Sequence, residues 1–470
     1  MTSCSLTLQE RHAERVRSLV LREDGIEGAA YLLCARSQIG HDPWDHSERL
    51  RLTSFDVLPI PAEDAISASH THISWSTNSY VRLLKRAQSE HLVAGIVHSH
   101  PHGPLEFSDQ DNRNEAELAR LARNRNGSGA AVFSLLMTGE GGLRGRLWTD
   151  PAGAPVDAQT IQIVGKRLSI HNSSIISQDS EGIFSRQSLL FGPELTSQLK
   201  TMRIGVVGCG GTGSATAMLL ARLGVGRIVV IDDDVVDMTN LNRLLGSERP
   251  DALAARPKVD VIVREIRAMD LGTQVVGIRS WIGDSTCRDA LKSCDVIFGC
   301  TDDHDGRLLL NRFAYFYLVP VIDMGLAIDP ARAGGLMDLT GRVTVLIPGA
   351  PCLLCRGIVD PVMARDEALR RTNPEEFERR KREAYVRGAG NPAPAVVTFT
   401  TATACLAVDE LIQGLTGFRN TEGWVWQRTR RFDRLEDRRP GAHQDPLCPI
   451  CGSSEYWGRA DVEPFLDRTG

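Results

Sequence analysis

The sequence predicts an α/β protein in two consecutive parts: an α/β domain at the N-terminus, then a doubly wound, Rossmann-like domain. Three observations carry the prediction. A short apolar run (Ile204, Val206, Val207) breaks into Gly208-Cys209-Gly210-Gly211-Thr212-Gly213. A helical pattern follows (Met218, Leu219, Leu220, Leu223), then a second apolar run, Ile228 to Ile231, ended by Asp232. A third buried run, Asp295 to Cys300, brings Asp302 and Asp303 to the same sheet edge. Far upstream, a separate run (Leu92 to Val97) leads straight into His98-Ser99-His100-Pro101, and Ser108-x-x-Asp111 then opens a helix.

Bulk properties narrow the class. A chain of 470 residues is long enough for two or three domains, each with its own core. Charged residues make up 24% and the net charge is −5, so electrostatic capture of nucleic acid or of a membrane is not expected. No apolar run is long enough to span a bilayer and the N-terminus lacks a signal-peptide pattern, so a cytoplasmic enzyme is the expectation. Four of the 11 cysteines sit in paired Cys-x-x-Cys, which suits metal binding in a reducing compartment better than a disulfide framework.

In chain order, residues 1–150 form the first domain. Leu6 to Arg22 reads as a helix, Gly28 to Cys34 as a buried strand with Glu27 at its entry, and Asn78 to Gln88 as a helix. His98 and His100, two apart at a strand end, project to the same side, and Asp111 in the first turn of a helix can return to them. Two imidazoles and a carboxylate leave a fourth tetrahedral position on zinc open for water, the pattern of a catalytic site. Zinc lowers the pKa of such a water to about 7. Glu27 would then act as general base and Ser108 would hydrogen-bond the developing oxyanion. The same residues admit plainer roles. Ser108-x-x-Asp111 fits a helix-capping box, and histidines at a strand exit can be ordinary polar residues. His70, His72 and His91 have no motif partners, and His102 is a bystander at the cleft mouth.

Taken together, Glu27, His98-x-His100-Pro101 and Ser108-x-x-Asp111 resemble the JAMM (JAB/MPN) family of zinc isopeptidases. Its catalytic Glu, paired His, Ser and Asp ligand all have counterparts here in order. Ala30, three positions after the Glu, departs mildly from the family's pattern.

Residues 151–184, with a Pro-Ala-Gly-Ala-Pro turn and a polar run, read as a linker with little structure of its own. In the second domain, residues 185–455, Gly208, Gly210, Gly211 and Gly213 let backbone N–H groups approach a phosphate at a helix N-terminus. Asp232 can accept hydrogen bonds from ribose hydroxyls. Arg243 and Lys258 return cations to the phosphate end, which a site cleaving a triphosphate needs. Asp302 can hold Mg2+.

These pieces, with Ser185-Arg186-Gln187, Asn240, Thr301 and the cysteine pairs, resemble the ubiquitin-activating superfamily of ThiF-type adenylyltransferases. The resemblance implies that Asn240 binds ATP and that Arg186 reaches the γ-phosphate of a partner subunit's ATP, hence a homodimer. It also implies that Gly334 to Pro348 belongs to a surface seating a protein substrate. Cys352, Cys355, Cys448 and Cys451 would form a closed structural zinc site. Asp360 to Arg387, within a crossover segment at 360–394, is dense in charge and is expected to order on meeting a partner. Val396 to Leu415 reads as a buried helix, and residues 456–470 as a tail. Enzymes of this superfamily that form a thioester place a cysteine in this region. Cys405 is the one candidate, and its small, apolar neighbours favour a packed, inert thiol.

The expectation is therefore a bifunctional enzyme of a prokaryotic ubiquitin-like pathway, using ATP, Mg2+ and two zinc ions, one catalytic and one structural. It would cleave after the glycine tail of a ubiquitin-like protein and adenylate the freed carboxylate, with a conjugating enzyme as a further partner. Alternatives are sulfur-carrier activation, a nicotinamide oxidoreductase and a non-catalytic scaffold.

Overall fold

The computed structural model describes residues 3–68, 73–173, 182–329, 338–382, 395–419, 423–462 and 465. The expectations for His70, His72, residues 334–337 of the substrate-seating surface and residues 383–394 of the crossover segment fall outside these residues.

The first domain runs β1 (Ser3–Gln9), α1 (Glu10–Val20), β2 (Ala29–Ile39), β3 (Arg49–Pro59), β4 (Ala65–Ala68), β5 (Ile73–Trp75), α2 (Thr77–Ser89), β6 (Val93–His100), α3 (Asp109–Asn126), β7 (Val132–Thr138), β8 (Leu143–Trp148), β9 (Val156–Val164) and β10 (Leu168–Asn172). Its main sheet has the order β1-β3-β2-β6-β7-β8-β9-β10 and closes on itself because β1 also pairs with β9. Pairing with β3 on one side and β9 on the other leaves β1 no free edge.

Two expectations are corrected here. Leu6 to Arg22 is not one helix: the chain is extended through Gln9 and helical from Glu10. Leu6 and Leu8 alternate with Thr7, and the strand pairing satisfies a segment whose apolar content also fits a helix. The segment expected as an unstructured linker carries β9 and β10, whose Ile161 and Val164 are buried.

The second domain continues with α4 (Ser185–Phe191), α5 (Pro193–Thr201), β11 (Arg203–Val207), α6 (Gly211–Arg222), β12 (Arg227–Ile231), α7 (Arg249–Leu253), α8 (Lys258–Met269), β13 (Gln274–Ile278), α9 (Ser285–Ser293), β14 (Val296–Gly299), α10 (His304–Phe316), β15 (Val321–Asp329), β16 (Asp338–Leu346), α11 (Pro361–Thr372), α12 (Pro374–Arg382), α13 (Val397–Thr416), β17 (Gln427–Arg431) and β18 (Glu436–Arg438). The sheet order is β13-β12-β11-β14-β15-β16-β17-β18. Strands β13 to β15 are parallel, and β16 to β18 extend the sheet antiparallel. Chain order reverses between β11 and β14, the position at which open α/β sheets bind ligands. The charged stretch expected to await a partner is helical through Arg382. Its Asp366 and Phe377 are buried, and Arg371 of α11 pairs with Asp305.

Buried polar groups join the two domains. Arg51 of β3 pairs with Asp295 at 3.0 Å and donates to the carbonyls of Cys294 (2.6 Å) and Lys292 (3.1 Å). Asp295 also accepts from Gln162 (2.5 Å) and from the Arg203 backbone N–H (2.9 Å). Asp42 takes both Arg49 and Arg203. The segment expected as a tail is a buried strap: Trp457, Ala460 and Phe465 are buried, Thr53 donates to the Gly458 carbonyl, and Asp461 meets Gln38 and Tyr317.

Candidate functional site

At the end of β6, His98 and His100 face the first turn of α3. His98 Nε2 lies 3.4 Å from Asp111 Oδ1, and His100 Nε2 lies 3.6 Å from Asp111 Oδ2 and 3.9 Å from Glu27 Oε1. Glu27, just before β2, is buried, as is His98. Burial pushes the Asp111 carboxyl upward, but the two imidazoles and the Ser108 backbone N–H outweigh it and hold Asp111 well below the usual carboxylate range. The bond to Asp111 raises His100, against its partial burial. Ser108 caps α3: its hydroxyl donates to Asp111 Oδ2 (2.8 Å) and accepts from the Asp111 N–H (3.2 Å). The capping role and the proximity to the histidines therefore coexist. The Pro104 carbonyl accepts from His100 Nδ1–H at 3.2 Å, which fixes the ring and leaves Nε2 directed at Asp111.

These residues suit a metal of the zinc type. Ligand atoms of His98, His100 and Asp111 all lie within 4.8 Å of one another. The His98 Nε2 is buried and makes no hydrogen bond among the described residues, a cost that a metal ligand would remove. The cluster lines a cavity of about 350 Å3 that His102 also borders. His91 is exposed on the turn after α2.

The second candidate site lies at the β11/β14 reversal. Gly208 has φ +90°, and a Cβ there would sit 2.8 Å from the backbone of Cys300 and Thr301. At Gly213 an added Cβ would lie 1.7 Å from the Gly208 carbonyl oxygen, so α6 can approach the loop this closely only with glycine. The Asp232 carboxylate ties the loop down, accepting from the Cys209 N–H (2.5 Å) and the Asp234 N–H (2.8 Å). Burial raises its pKa, against the pull of Lys258. Lys258, at the start of α8, reaches Asp234 at 2.6 Å. Burial works against its charge, but Asp232 and Asp234 prevail and the shift is upward. Asn240 is buried and accepts from the Asp237 N–H (3.2 Å), while Arg243 donates to the Thr239 carbonyl. Asp303 caps α10 through the Gly306 N–H, and Asp302 beside it is exposed, making no hydrogen bond among the described residues. Arg186 is exposed on α4, away from any described partner at this site.

The four paired cysteines meet across 96 residues of chain: Cys352 and Cys448 sulfurs are 3.5 Å apart, and Cys355 and Cys451 are 3.4 Å apart. All four sulfurs lie within 4.8 Å, the donor set of a closed tetrahedral zinc site.

With the geometry in place, the chain can be set against known proteins. A profile of the ThiF family matches residues 184–450, more than half the chain. The chain belongs to the ThiF family. Ahead of the ThiF domain, residues 9–149 match the prokaryotic homologs of the JAB domain. Among curated relatives, the SAMP-activating enzyme E1 of Haloferax volcanii is 30% identical over 164 residues, which is 35% of this chain and 56% of that protein. Protein HesA, heterocyst, of Trichormus variabilis is 26% identical over 278 residues, 58% of this chain and 90% of that one. The sulfur carrier protein ThiS adenylyltransferase of Bacillus subtilis is 27% identical over 294 residues, 61% of this chain and 74% of that one. The chain thus spans little more than half of the Haloferax protein. Among the described residues, no helix is long and apolar enough to cross a membrane.

One expectation for the ThiF domain is overturned: Cys405 is not packed in the core. It is exposed on α13, whose buried side carries Thr403, Ala404 and Ala407 instead. Partial burial and Asp409 nevertheless raise its thiol pKa. Sequence reasoning also missed residues beside the JAB-type cluster. Glu115 is buried, and its Oε2 accepts from Arg146 Nε and Trp148 Nε1, both at 2.7 Å. The Arg146 guanidinium lies 3.7 Å from the centre of the Phe107 ring, which in turn packs on His98. The i, i+4 spacing of Asp111 and Glu115 was the available signal.

Proposed function

We propose that the ThiF domain adenylates the C-terminal carboxylate of a ubiquitin-like or sulfur-carrier protein, and that the JAB-type domain cleaves the peptide or isopeptide bond that follows the same glycine tail. The observation carrying the first half is the meeting of the Gly208 loop, Asp232, Lys258 and the Thr301–Asp302 edge at one sheet reversal. Relatives named for activating SAMP and ThiS support the class of substrate.

In adenylation, a carboxylate oxygen of the tail attacks the α-phosphorus of ATP. The new O–P bond forms as the bond to the β-phosphate oxygen breaks, giving acyl-AMP and pyrophosphate. The Gly208 loop N–H groups, with Gly210, Gly211 and Gly213, cradle phosphate at the α6 N-terminus. Lys258, held charged by two carboxylates, and Arg243 offset charge on the transferring phosphate. Asp232 and Asn240 bind the nucleoside end, and Asp302 would hold Mg2+. Arg186 serves a second copy's site. The exposure of its helix neighbours Leu189 and Leu190, 88% and 75%, supports a homodimer interface there. We assign the next acceptor to a sulfur outside this chain rather than to Cys405, which is exposed on α13 with its thiol pKa raised by partial burial.

In the JAB-type domain, a zinc ion held by His98, His100 and Asp111 would supply a Lewis acid that eases deprotonation of water. Glu27, buried beside His100, takes that proton and delivers it to the leaving amine. The Ser108 hydroxyl would donate to the developing oxyanion. Cys352, Cys355, Cys448 and Cys451 would hold a second, structural zinc.

The deciding experiment is ATP–pyrophosphate exchange with a candidate glycine-tailed protein. Exchange that needs the intact tail and fails in Asp302→Ala supports adenylation. Exchange indifferent to the tail, or tight nicotinamide binding without exchange, refutes it.

A further inference from the structure

Another cavity, of about 270 Å3, is lined by Arg419, Arg428, Arg438, Arg439 and Asp437. It opens between the turn that follows α13 and the β17–β18 hairpin. The other end of α13 meets the glycine loop, where a Cβ on Gly211 would lie 3.2 Å from Thr400. With 20 residues, α13 keeps the cavity roughly 25–30 Å from that loop at 1.5 Å per residue. Its base is rigid. Glu410 is 0% exposed, and its Oε1 accepts from Arg419 Nη1 (2.6 Å) and Arg428 Nη1 (3.1 Å), while Oε2 accepts from the Val425 N–H (3.1 Å). Both guanidiniums are thereby fixed, yet their side chains keep 18% and 19% exposure. Among the described residues, neither uses its Nε or Nη2 in a hydrogen bond. At the rim Arg430 pairs with Asp437 (2.7 Å) and Arg438 with Glu436 (2.6 Å), whereas Arg439 is exposed and in no ion pair among the described residues. Two arginines thus share one carboxylate and a third has none, an excess of two positive charges over the ion-paired acids. Asp409, half-buried nearby, pairs with neither guanidinium, and burial disfavours its charge.

From this we infer that the cavity is a binding site for a phosphate group, free or carried on a small molecule, held by Arg419 and Arg428 and closed over by Arg439. Guanidinium N–H groups match phosphate and carboxylate oxygens alike. Two features favour phosphate. Arg419 and Arg428 come from different elements, so their free N–H groups do not form a single fork; a planar carboxylate engages one fork, and a tetrahedral anion offers oxygens to both. A phosphate also brings close to two negative charges, which the excess here matches. Glu410 does for the site what a buried second partner does for a metal ligand: it holds two flexible side chains in place before the anion arrives, which lowers the entropy cost of binding. The site is independent of the adenylation and protease readings.

The test is calorimetric titration of the full chain with inorganic phosphate, pyrophosphate, AMP, acetate and a tetraglutamate peptide at low salt. Every titration is repeated in Lys258→Ala, which weakens phosphate binding at the glycine loop and leaves this cavity untouched. In that variant pyrophosphate should still bind with a Kd below about 1 mM, and acetate at least about tenfold more weakly. Adding Arg428→Met, which leaves Glu410 paired with Arg419, should weaken pyrophosphate about tenfold or more. Adding Arg439→Ala, at an exposed position with no ion pair, should weaken it about threefold. Far-UV dichroism and melting curves that match the parent show that both variants fold. Inorganic phosphate and pyrophosphate binding better than AMP identifies a free anion, and the reverse order identifies a phosphate carried on a small molecule; either supports the site. Binding that disappears with Lys258→Ala alone, or that survives Arg428→Met unchanged in a folded protein, overturns it. Tetraglutamate binding more tightly than any phosphate overturns the assignment of phosphate in favour of an acidic peptide.

Discussion

The bond between the domains gives the sharpest stability prediction. Asp295 is 8% exposed and gathers donors from three segments: Arg51 of β3, Gln162 of β9 and the backbone of Arg203. Replacing it by alanine leaves the Arg51 guanidinium, 6% exposed in its side chain, with carbonyls alone to offset its charge. Removing one partner of such a buried pair costs about 3–5 kcal/mol. The two carbonyl bonds already made by Arg51 place Asp295→Ala toward the lower end, about 3 kcal/mol. Urea unfolding followed by tryptophan fluorescence and by far-UV dichroism measures it. A second variant, Arg51→Met with Asp295→Leu, removes both charges and should recover part of the loss, though not the bonds to Gln162 and Arg203. If Asp295→Ala unfolds within about 1 kcal/mol of the parent, or if the double variant is worse than the single, the charge argument is wrong.

Four further outcomes follow from the same structure. His12 is buried against Ser54, and burial, with Arg11, lowers its pKa from 6.5 to about 4. Between those values the unfolded chain binds the extra proton. The contribution is therefore full above pH 6.5 and is lost as pH falls toward 4. It amounts to about 3 kcal/mol, so His12→Asn should show a shallower acid limb by that amount in denaturant titrations at stepped pH. Gly213→Ala forces a Cβ onto the Gly208 carbonyl and should abolish ATP–pyrophosphate exchange. Cys352→Ser should lower bound zinc by about one ion per chain by plasma emission and destabilise the fold, whereas His98→Ala removes an ion and spares exchange. Cys405→Ser should leave any charged-carrier band on non-reducing gels unchanged, since the acyl group goes elsewhere. Loss of a thioester in that variant would reverse the assignment.

Much of the candidate chemistry was legible because it sits where regular structure must stop. His98, His100 and Asp111 lie at a strand end and a helix start, and the period-2 and capping rules put them on one side before any tertiary contact is known. The Gly208 loop was legible for the same reason, its glycines being demanded by backbone approach. What escaped notice depends on partners distant in sequence. β1 looked helical because its alternation is short, and the strands β3 and β9 that hold it open out lie elsewhere in the chain. β9 and β10 hid in a polar segment because one face of each is only half-buried. Cys405 misled because small residues occur all round α13, so composition could not tell its exposed stripe from its packed one. Glu115 had no motif to announce it. Its meaning comes from Arg146 and Trp148 on β8.

The strap laid between the domains also bears on how the protein is made. Thr53 bonds the Gly458 carbonyl and Gln9 the Trp457 carbonyl, contacts that span 405 and 448 residues. At a translation rate of about 5–20 residues per second, β3 waits on the order of 20–80 s after its own synthesis for the partner that covers it. Nascent chains halted before that point should bind chaperones and precipitate, although every residue of the first domain has already been polymerised.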